Sequence, residues 1–110
     1  MPKDDAEAVK WYRKAAEQGN PQAQCALGFM HEAGRGVPKD LVEAYAWYNI
    51  SASSGDEIAA KNRDSAEKNM TSSQIAKAQE RTRDLLKELS SGTKVGERLR
   101  RELGRILKGE

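Results

Sequence analysis

The chain is poor in the residues that build disulfides and metal sites. Its 110 residues include one cysteine, Cys25, and one histidine, His31. A single cysteine excludes an intrachain disulfide and a cysteine-based zinc site, and the His31–Glu32 pair has no second histidine to complete an HExxH motif. Cys25 and His31 are six residues apart, about 240° around a helix, so they do not face each other as nucleophile and base. We therefore expect no metal, no cofactor, no catalytic residue and a buried, structural Cys25.

Long hydrophobic runs are absent as well. No stretch approaches the roughly 18 apolar residues of a membrane-spanning helix, and the N-terminal sequence MPKDDAEAVK lacks the apolar segment of a signal peptide. The sequence thus predicts a soluble chain. It is expected to be cytoplasmic, or periplasmic or secreted if it is cut from a longer precursor.

Aromatic residues are also scarce, because the chain has two Trp, three Tyr and one Phe, whereas 33% of its residues are charged. Such a composition favours exposed helices over a bulky interior. The formal net charge is +2, and residues 91–110 hold six Lys or Arg against three Glu, so the basic character belongs to the tail. This small net charge does not predict nucleic-acid binding by the rest of the chain.

An internal repeat organises the first half of the sequence. At an offset of 36 residues, positions 2–24 align with positions 38–60, and ten of the 23 pairs are identical. The pairs include Trp11 with Trp47 and Tyr12 with Tyr48. A period in this range is typical of helical-repeat arrays, so each unit is expected to be a supersecondary building block.

Each unit has the signals of a helix with defined ends. Asp4 with Glu7, and Asp40 with Glu43, match a capping box, and a glycine suited to the left-handed conformation follows each helix. These glycines are Gly19 and Gly55. Residues at helical spacing form a face predicted to pack inward, and this face consists of Ala8, Trp11, Tyr12 and Ala15 in the first unit and Ala44, Trp47, Tyr48 and Ser51 in the second.

A partner helix is predicted between the two units. Asn20-Pro21 provides an N-cap followed by a proline at the first helical position, and the helix is expected to end near Ala33. Its stripe consists of Ala23, Ala26, Leu27 and Met30. The glycines and the proline of residues 34–38 then predict a short loop and hence a helical hairpin.

Residues 23–55 resemble one repeat of the Sel-one-like family, a relative of the tetratricopeptide repeats. The residues that carry the resemblance are Leu27, Gly28, Met30, Gly34, Gly36, Val37, Pro38, Lys39, Asp40, Ala44, Trp47 and Tyr48. His31 stands where the family usually has tyrosine, which favours a packing role for it. The resemblance implies an all-α, short right-handed α-solenoid of antiparallel helix pairs, with about six helices.

The resemblance is strong over residues 2–55 and weak over residues 56–89. At the 36-residue offset Leu27, Gly28 and Met30 become Arg63, Asp64 and Ala66, which predicts a polar terminal cap. Thr71 and Gln74 match another capping box, for a helix that closes the solenoid. The residues expected on its buried side are Ile75, Ala78, Leu85, Leu86 and Leu89.

Two segments of the chain are expected to need a partner. The first helix belongs to the second half of a unit, so one apolar face of it is left uncovered and invites another copy, another protein or the chain's own tail. Residues 90–110 are predicted to be a linker, Ser90-Ser91-Gly92, followed by a basic amphipathic helix whose docking face is Val95, Leu99, Leu103, Ile106 and Leu107. This helix could cover the solenoid's own groove, bind a partner or a second copy, or contact membrane or RNA.

The resemblance implies a non-enzymatic scaffold that binds a protein or peptide through the solenoid groove. The polar residues expected to line that groove are Arg13, Lys14, Gln18, Gln22, Glu32, Asn49 and Ser53, whereas the Trp-Tyr pairs are assigned to the core. The alternative is a self-assembly module, natural or engineered, which forms a homo-oligomer completed by the first half repeat or the tail helix.

Overall fold

The computed structural model describes the backbone of residues 4–92 and the side chains of residues 4–89. Within that range it contains five α-helices and no strand. The helices are α1 (Asp5–Glu17), α2 (Pro21–Ala33), α3 (Leu41–Ser53), α4 (Glu57–Glu67) and α5 (Ser72–Gly92). The predicted all-α architecture is confirmed, with five helices against the expected six or so. The expected tail helix lies outside the described residues.

The helices begin where the capping residues predict. The Asp4 carboxylate accepts the Glu7 backbone N–H at 2.7 Å, and the Asp40 carboxylate accepts that of Glu43 at 3.0 Å. The Asn20 side chain caps α2 in the same way. At the start of α5 the capping box is reciprocal. The Thr71 backbone N–H donates to Oε1 of Gln74, and the Gln74 backbone N–H donates to Oγ1 of Thr71. Local sequence therefore sets these boundaries.

Helix α3 lies at the centre of the fold. It packs against α2 on one side and against α4 and α5 on others, while α1 packs mainly on α2. The main core gathers residues from α1, α2, α3 and α5, and its buried members are Val9, Ala16, Ala23, Leu27, Met30, Ala46, Trp47, Ile50 and Leu85. The 36-residue offset carries α1 onto α3 and α3 onto residues 77–89 of α5, so these three helices are successive equivalents along the array.

The prediction that Trp11 packs inward is wrong. Trp11 is 59% exposed, whereas Trp47 at the equivalent position is 2% exposed. The difference follows from the neighbours of the two helices, because α3 is surrounded whereas α1 packs through Val9 and Ala16 against one side of the fold. Trp11 would be buried only if a further helix packed on the side of α1 that faces away from α2.

Two details of α5 also differ from expectation. Leu86 is 44% exposed, and the inward stripe consists of Ala78, Thr82, Leu85 and Leu89. Thr82 is accommodated because its hydroxyl donates to the Ala78 carbonyl at 2.8 Å. The expected break at residues 90–92 is wrong too, since the helix continues to Gly92. Serine and glycine each weaken a helix by roughly 1 kcal/mol or less, which does not end a long helix that is already packed.

Candidate functional site

Glycine at position 28 lets α2 and α3 approach closely. A Cβ on Gly28 would lie 2.7 Å from Cδ1 of Tyr48 and 3.2 Å from the Ala44 carbonyl oxygen. The Tyr48 hydroxyl, on the same side, donates to Glu32 at 2.6 Å. Burial and this hydrogen bond raise the pKa of Tyr48, so the phenol stays protonated. The helical hairpin is thereby fixed as a rigid pair.

The loop between α2 and α3 fixes α1 against that pair. Gly36, with φ of +75°, lies directly against the backbone of Asp5, where a Cβ would clash. Beside it Arg35 pairs with the Asp5 carboxylate at 3.0 Å. The glycines that carry the family resemblance thus set the stacking of one unit on the next.

A cleft lies between the three equivalent helices α1, α3 and α5. Its volume is about 270 Å³. We call it the Trp47 cleft, and the residues that line it are Arg13, Glu17, Trp47, Arg81, Leu85, Glu88 and Leu89. The floor is apolar, because Trp47 and Leu85 are buried there, and the rim carries charges of both signs. No single repeat builds this site.

Several buried side-chain polar atoms, one of them on Trp47 of the cleft, have no hydrogen-bond partner among the described residues. They include Nε1 of Trp47 and both ring nitrogens of His31. Burial lowers the pKa of His31, although the nearby Glu43 opposes that shift. His31 is therefore neutral at pH 7, in keeping with the packing role predicted for it. The Trp47 N–H is thus a buried donor without an acceptor among the described residues, which costs the fold about 1–3 kcal/mol.

Arg81 anchors α5 at the edge of the cleft. Its Nε and Nη2 contact the two carboxylate oxygens of Glu43 on α3 at 2.9 and 3.2 Å, and its Nη1 lies 3.5 Å from Glu88. The bidentate bond with Glu43 raises the pKa of Arg81. Because planar, two-point contacts fix orientation, this pair holds α5 over Trp47.

The exposed side of α1 is the second distinctive surface. Open space of about 720 Å³ lies against it, and the described residues that line this space all belong to α1 and its cap. We call this surface the Trp11 face, and its residues are Asp4, Ala6, Glu7, Lys10, Trp11, Arg13, Lys14 and Glu17. The Lys14 ammonium lies 5.7 Å from the centroid of the Trp11 ring, within cation–π range. Arg13 and Glu17 line both surfaces, which are therefore continuous.

The structure does not bring the seven predicted groove residues to one place. Arg13 and Lys14 lie together on the Trp11 face, and Gln18 follows α1 as its C-cap. Gln22 lies apart from them, near the loop between α3 and α4 and the exposed Ile58 in the first turn of α4. As binding residues these positions remain predictions.

The other three predicted groove residues form bonds within the fold. Glu32 accepts from Tyr48, and Asn49 accepts from Nη1 of Arg63 at 3.0 Å. The Ser53 hydroxyl donates to the Ile50 carbonyl. The sequence analysis did not assign any α5 residue to a binding site. A second application of the 36-residue offset carries α3 onto residues 77–89, and this step would have placed α5 beside α3.

Cys25 is half-buried rather than fully enclosed. The Nδ2 of Asn62 lies 3.7 Å from its Sγ, and burial raises the pKa of the thiol, with Asp56 adding to the effect. A raised pKa leaves less of the reactive thiolate at pH 7. Within residues 4–92 no cluster of three or more potential metal ligands is present, and none of the helices there is long and apolar enough to cross a membrane.

The architecture matches a known repeat family. The family model described as Sel1 repeat matches residues 1–20 and 21–56, which is half of the chain. This chain belongs to the Sel1 repeat family. The match agrees with the Sel-one-like resemblance of residues 23–55 and with the repeat boundaries seen in the structure. Sel1 repeat proteins are generally scaffolds for protein interactions.

A solved structure supports the same assignment. The Sel1 repeat chain is similar to c5321, a protective antigen of uropathogenic Escherichia coli strains that displays an SLR fold, with 35% sequence identity and a TM-score of 0.72. The similarity covers 76% of this chain but 18% of c5321. The present chain thus spans less than a fifth of that longer protein.

Proposed function

We propose that this Sel1 repeat chain is a non-enzymatic scaffold that binds a peptide segment of another protein in the Trp47 cleft. The observation that carries the proposal is the cleft itself, an apolar floor with a charged rim built by three successive equivalent helices. Grooves that combine a buried aromatic anchor with polar edges are typical of protein recognition.

The size of the cleft favours a single peptide side chain over a small molecule. A volume of about 270 Å³ lies below the usual range of about 300–1,000 Å³ for small-molecule sites. It suits one large apolar side chain of a peptide, placed over Trp47 and Leu85.

The rim adds a charge preference. Arg81 is already paired with Glu43, whereas Arg13 forms no ion pair among the described side chains. Arg13 is also exposed. We therefore expect an acidic residue next to the apolar anchor of the ligand, because a carboxylate there meets an available guanidinium.

A displayed library of random 12-residue peptides, selected on the immobilised full chain, tests the proposal. The selected peptides are expected to share an aromatic or aliphatic anchor beside an acidic residue. Their affinity should fall at least about tenfold, or 1.4 kcal/mol, when the rim charges are exchanged in Arg13→Glu with Glu88→Lys. Titration should also shift the indole N–H signal of Trp47 in NMR spectra.

A matched control exchanges charges elsewhere on the surface. Arg83→Glu with Asp84→Lys alters two exposed residues of α5 that do not line the cleft, and it leaves the net charge of the chain equal to that of the rim variant. The control should bind the selected peptides normally. Peptides that bind both variants equally, or a library that yields no binders, would contradict the proposal.

A further inference from the structure

The Trp11 face places an exposed tryptophan among mostly charged residues of α1. Trp11 is the most exposed of the aromatic side chains described, at 59%, and Ala6 on the same face is also exposed. A large aromatic ring exposed to water does not contribute the stabilisation that a tryptophan gives when it is buried in a core or an interface. The chain therefore presents a surface on which an apolar helix could pack.

The internal repeat shows what covers this position elsewhere in the molecule. Trp47 occupies the same register in α3 and is 2% exposed, in one cluster with Leu27 of α2 and Leu85 of α5. Leucines from neighbouring helices therefore cover the equivalent tryptophan. The matching occupant of the Trp11 face is a helix with a leucine-rich stripe.

We propose that residues 95–107 of the same chain form that helix and pack over the Trp11 face. Their apolar stripe, Val95, Leu99, Leu103, Ile106 and Leu107, has the chemistry that covers Trp47. The proposal does not depend on peptide binding in the Trp47 cleft, but the two surfaces share Arg13 and Glu17, so a docked tail and a bound peptide would compete at the rim. It assigns the tail to a surface within its own molecule, as a terminal cap of the repeat array.

The position of Gly92, the last residue that the structure describes, supports this occupant. Glu88 and Leu89 line the Trp47 cleft together with Arg13 and Glu17, and the latter two also line the Trp11 face. The described part of α5 reaches Gly92, about 4.5 Å along the helix axis from Leu89 at 1.5 Å per residue. The tail thus starts beside the surface it is proposed to cover.

The lengths agree as well. Two residues separate Gly92 from Val95, so the apolar stripe of the tail begins close to the last described residue of α5. Thirteen residues from Val95 to Leu107 span about 20 Å as a helix, and α1 also has 13 residues. One tail helix can therefore cover the whole length of the Trp11 face.

Proximity favours the chain's own tail over that of a second copy. A segment joined by a short connection has an effective concentration in the millimolar range, so at about 10–200 µM protein the intramolecular contact outcompetes the intermolecular one. The Trp11 face does not repel the basic tail as a whole, because it carries three acidic residues as well as three basic ones. The acidic residues are Asp4, Glu7 and Glu17.

Tryptophan fluorescence of the full chain tests the proposal, because the chain has two tryptophans and Trp47 is buried. In the docked chain both should be protected from acrylamide. Leu99→Gln with Leu103→Gln should release the tail, so that one tryptophan in two becomes quenchable and its emission moves to longer wavelength. The same pair of substitutions in a Trp11→Phe chain should change neither reading.

The control variant is Arg101→Gln with Lys108→Gln, two substitutions on the opposite face of the tail, and it should leave quenching unchanged. Sedimentation velocity on the same samples identifies the occupant. A monomer with protected Trp11 is the expected result. A dimer that dissociates in the Leu99→Gln, Leu103→Gln variant would assign the face to a second copy, and Trp11 equally quenchable in all chains would show that nothing covers it; either result overturns the proposal.

Discussion

The ring of Tyr48 occupies the space beside Gly28 in which any other residue would place its Cβ, at 2.7 Å from Cδ1. Contacts under 3.0 Å require something to move, and the backbone carbonyl oxygen of Ala44, also on α3, would lie 3.2 Å from the same Cβ. We predict that overpacking in Gly28→Ala lowers the free energy of unfolding by about 1–3 kcal/mol. The better helix propensity of alanine offsets up to roughly 1 kcal/mol of that loss. Urea unfolding of the full chain measures the change.

A double-mutant cycle provides the control for this prediction. In a Tyr48→Leu background the ring is gone, so the additional cost of Gly28→Ala should shrink or reverse sign. The two positions are in contact, and coupling between such residues is commonly 0.5–3 kcal/mol or so. An identical cost in both backgrounds would show that the close approach of Gly28 and Tyr48 does not explain the glycine.

Helix boundaries could be predicted from the sequence because their causes are local. The cap at Asp4 and the capping box of Thr71 and Gln74 depend on side chains within three residues of the groups they satisfy. The left-handed glycines 19, 34 and 55 follow from the same local rules. The 36-residue period indicated a repeat array, and the resemblance to the Sel-one-like family implied the all-α solenoid.

Burial and the cleft could not be predicted in this way. Trp11 and Trp47 lie in the same sequence motif, yet one is exposed and the other buried, because burial depends on which helices lie alongside. The Arg81–Glu43 pair joins residues 38 apart in sequence, and no local pattern indicates that contact. Of the seven expected groove residues only Arg13 lies in the Trp47 cleft. A helical wheel predicts the side of a helix on which a residue lies, but not which other helices pack against that side.

The Arg81–Glu43 pair should control how firmly α5 is held. Side-chain exposures of 33% and 16% place the pair at a partly buried contact. Arg81→Gln leaves Glu43 without its bidentate donor, so we expect a loss of about 1–3 kcal/mol, concentrated in α5. Amide hydrogen exchange should show α5 amides exchanging tenfold faster, or about 1.4 kcal/mol less protected, while α2 amides change less.

Arg83→Gln serves as the control, because Arg83 lies on the same helix and is exposed. It should leave exchange in α5 near the wild-type rate, as surface substitutions usually change stability by no more than about 0.5 kcal/mol. If Arg81→Gln and Arg83→Gln behave alike, the contact with Glu43 does not anchor α5. Glu43→Gln should reproduce the effect of Arg81→Gln, and the double variant should cost less than the two single losses combined.

His31 should make the stability of the fold dependent on pH. Burial lowers the pKa of His31 from its ordinary value of 6.5, so between the two pKa values the unfolded chain binds a proton that the folded chain does not. Stability is then fully present above about pH 6.5 and falls as the pH drops below it, by at most about 1.4 kcal/mol per pH unit. The loss levels off below the folded pKa. Urea unfolding from about pH 8 to pH 5 measures this slope, above the ordinary range of Asp and Glu.

Replacing His31 by the residue usual in the family separates its titration from its packing. His31→Tyr keeps a ring at the position but removes the group that titrates between pH 5 and 7, so the slope should disappear even if the stability at pH 8 changes. Arg13 and Arg81 oppose a charge on His31, while Asp40 and Glu43 favour one. If the carboxylates prevailed, stability would instead rise as the pH falls through 6.5, and the sign of the slope therefore decides between desolvation and charge as the main influence on this histidine.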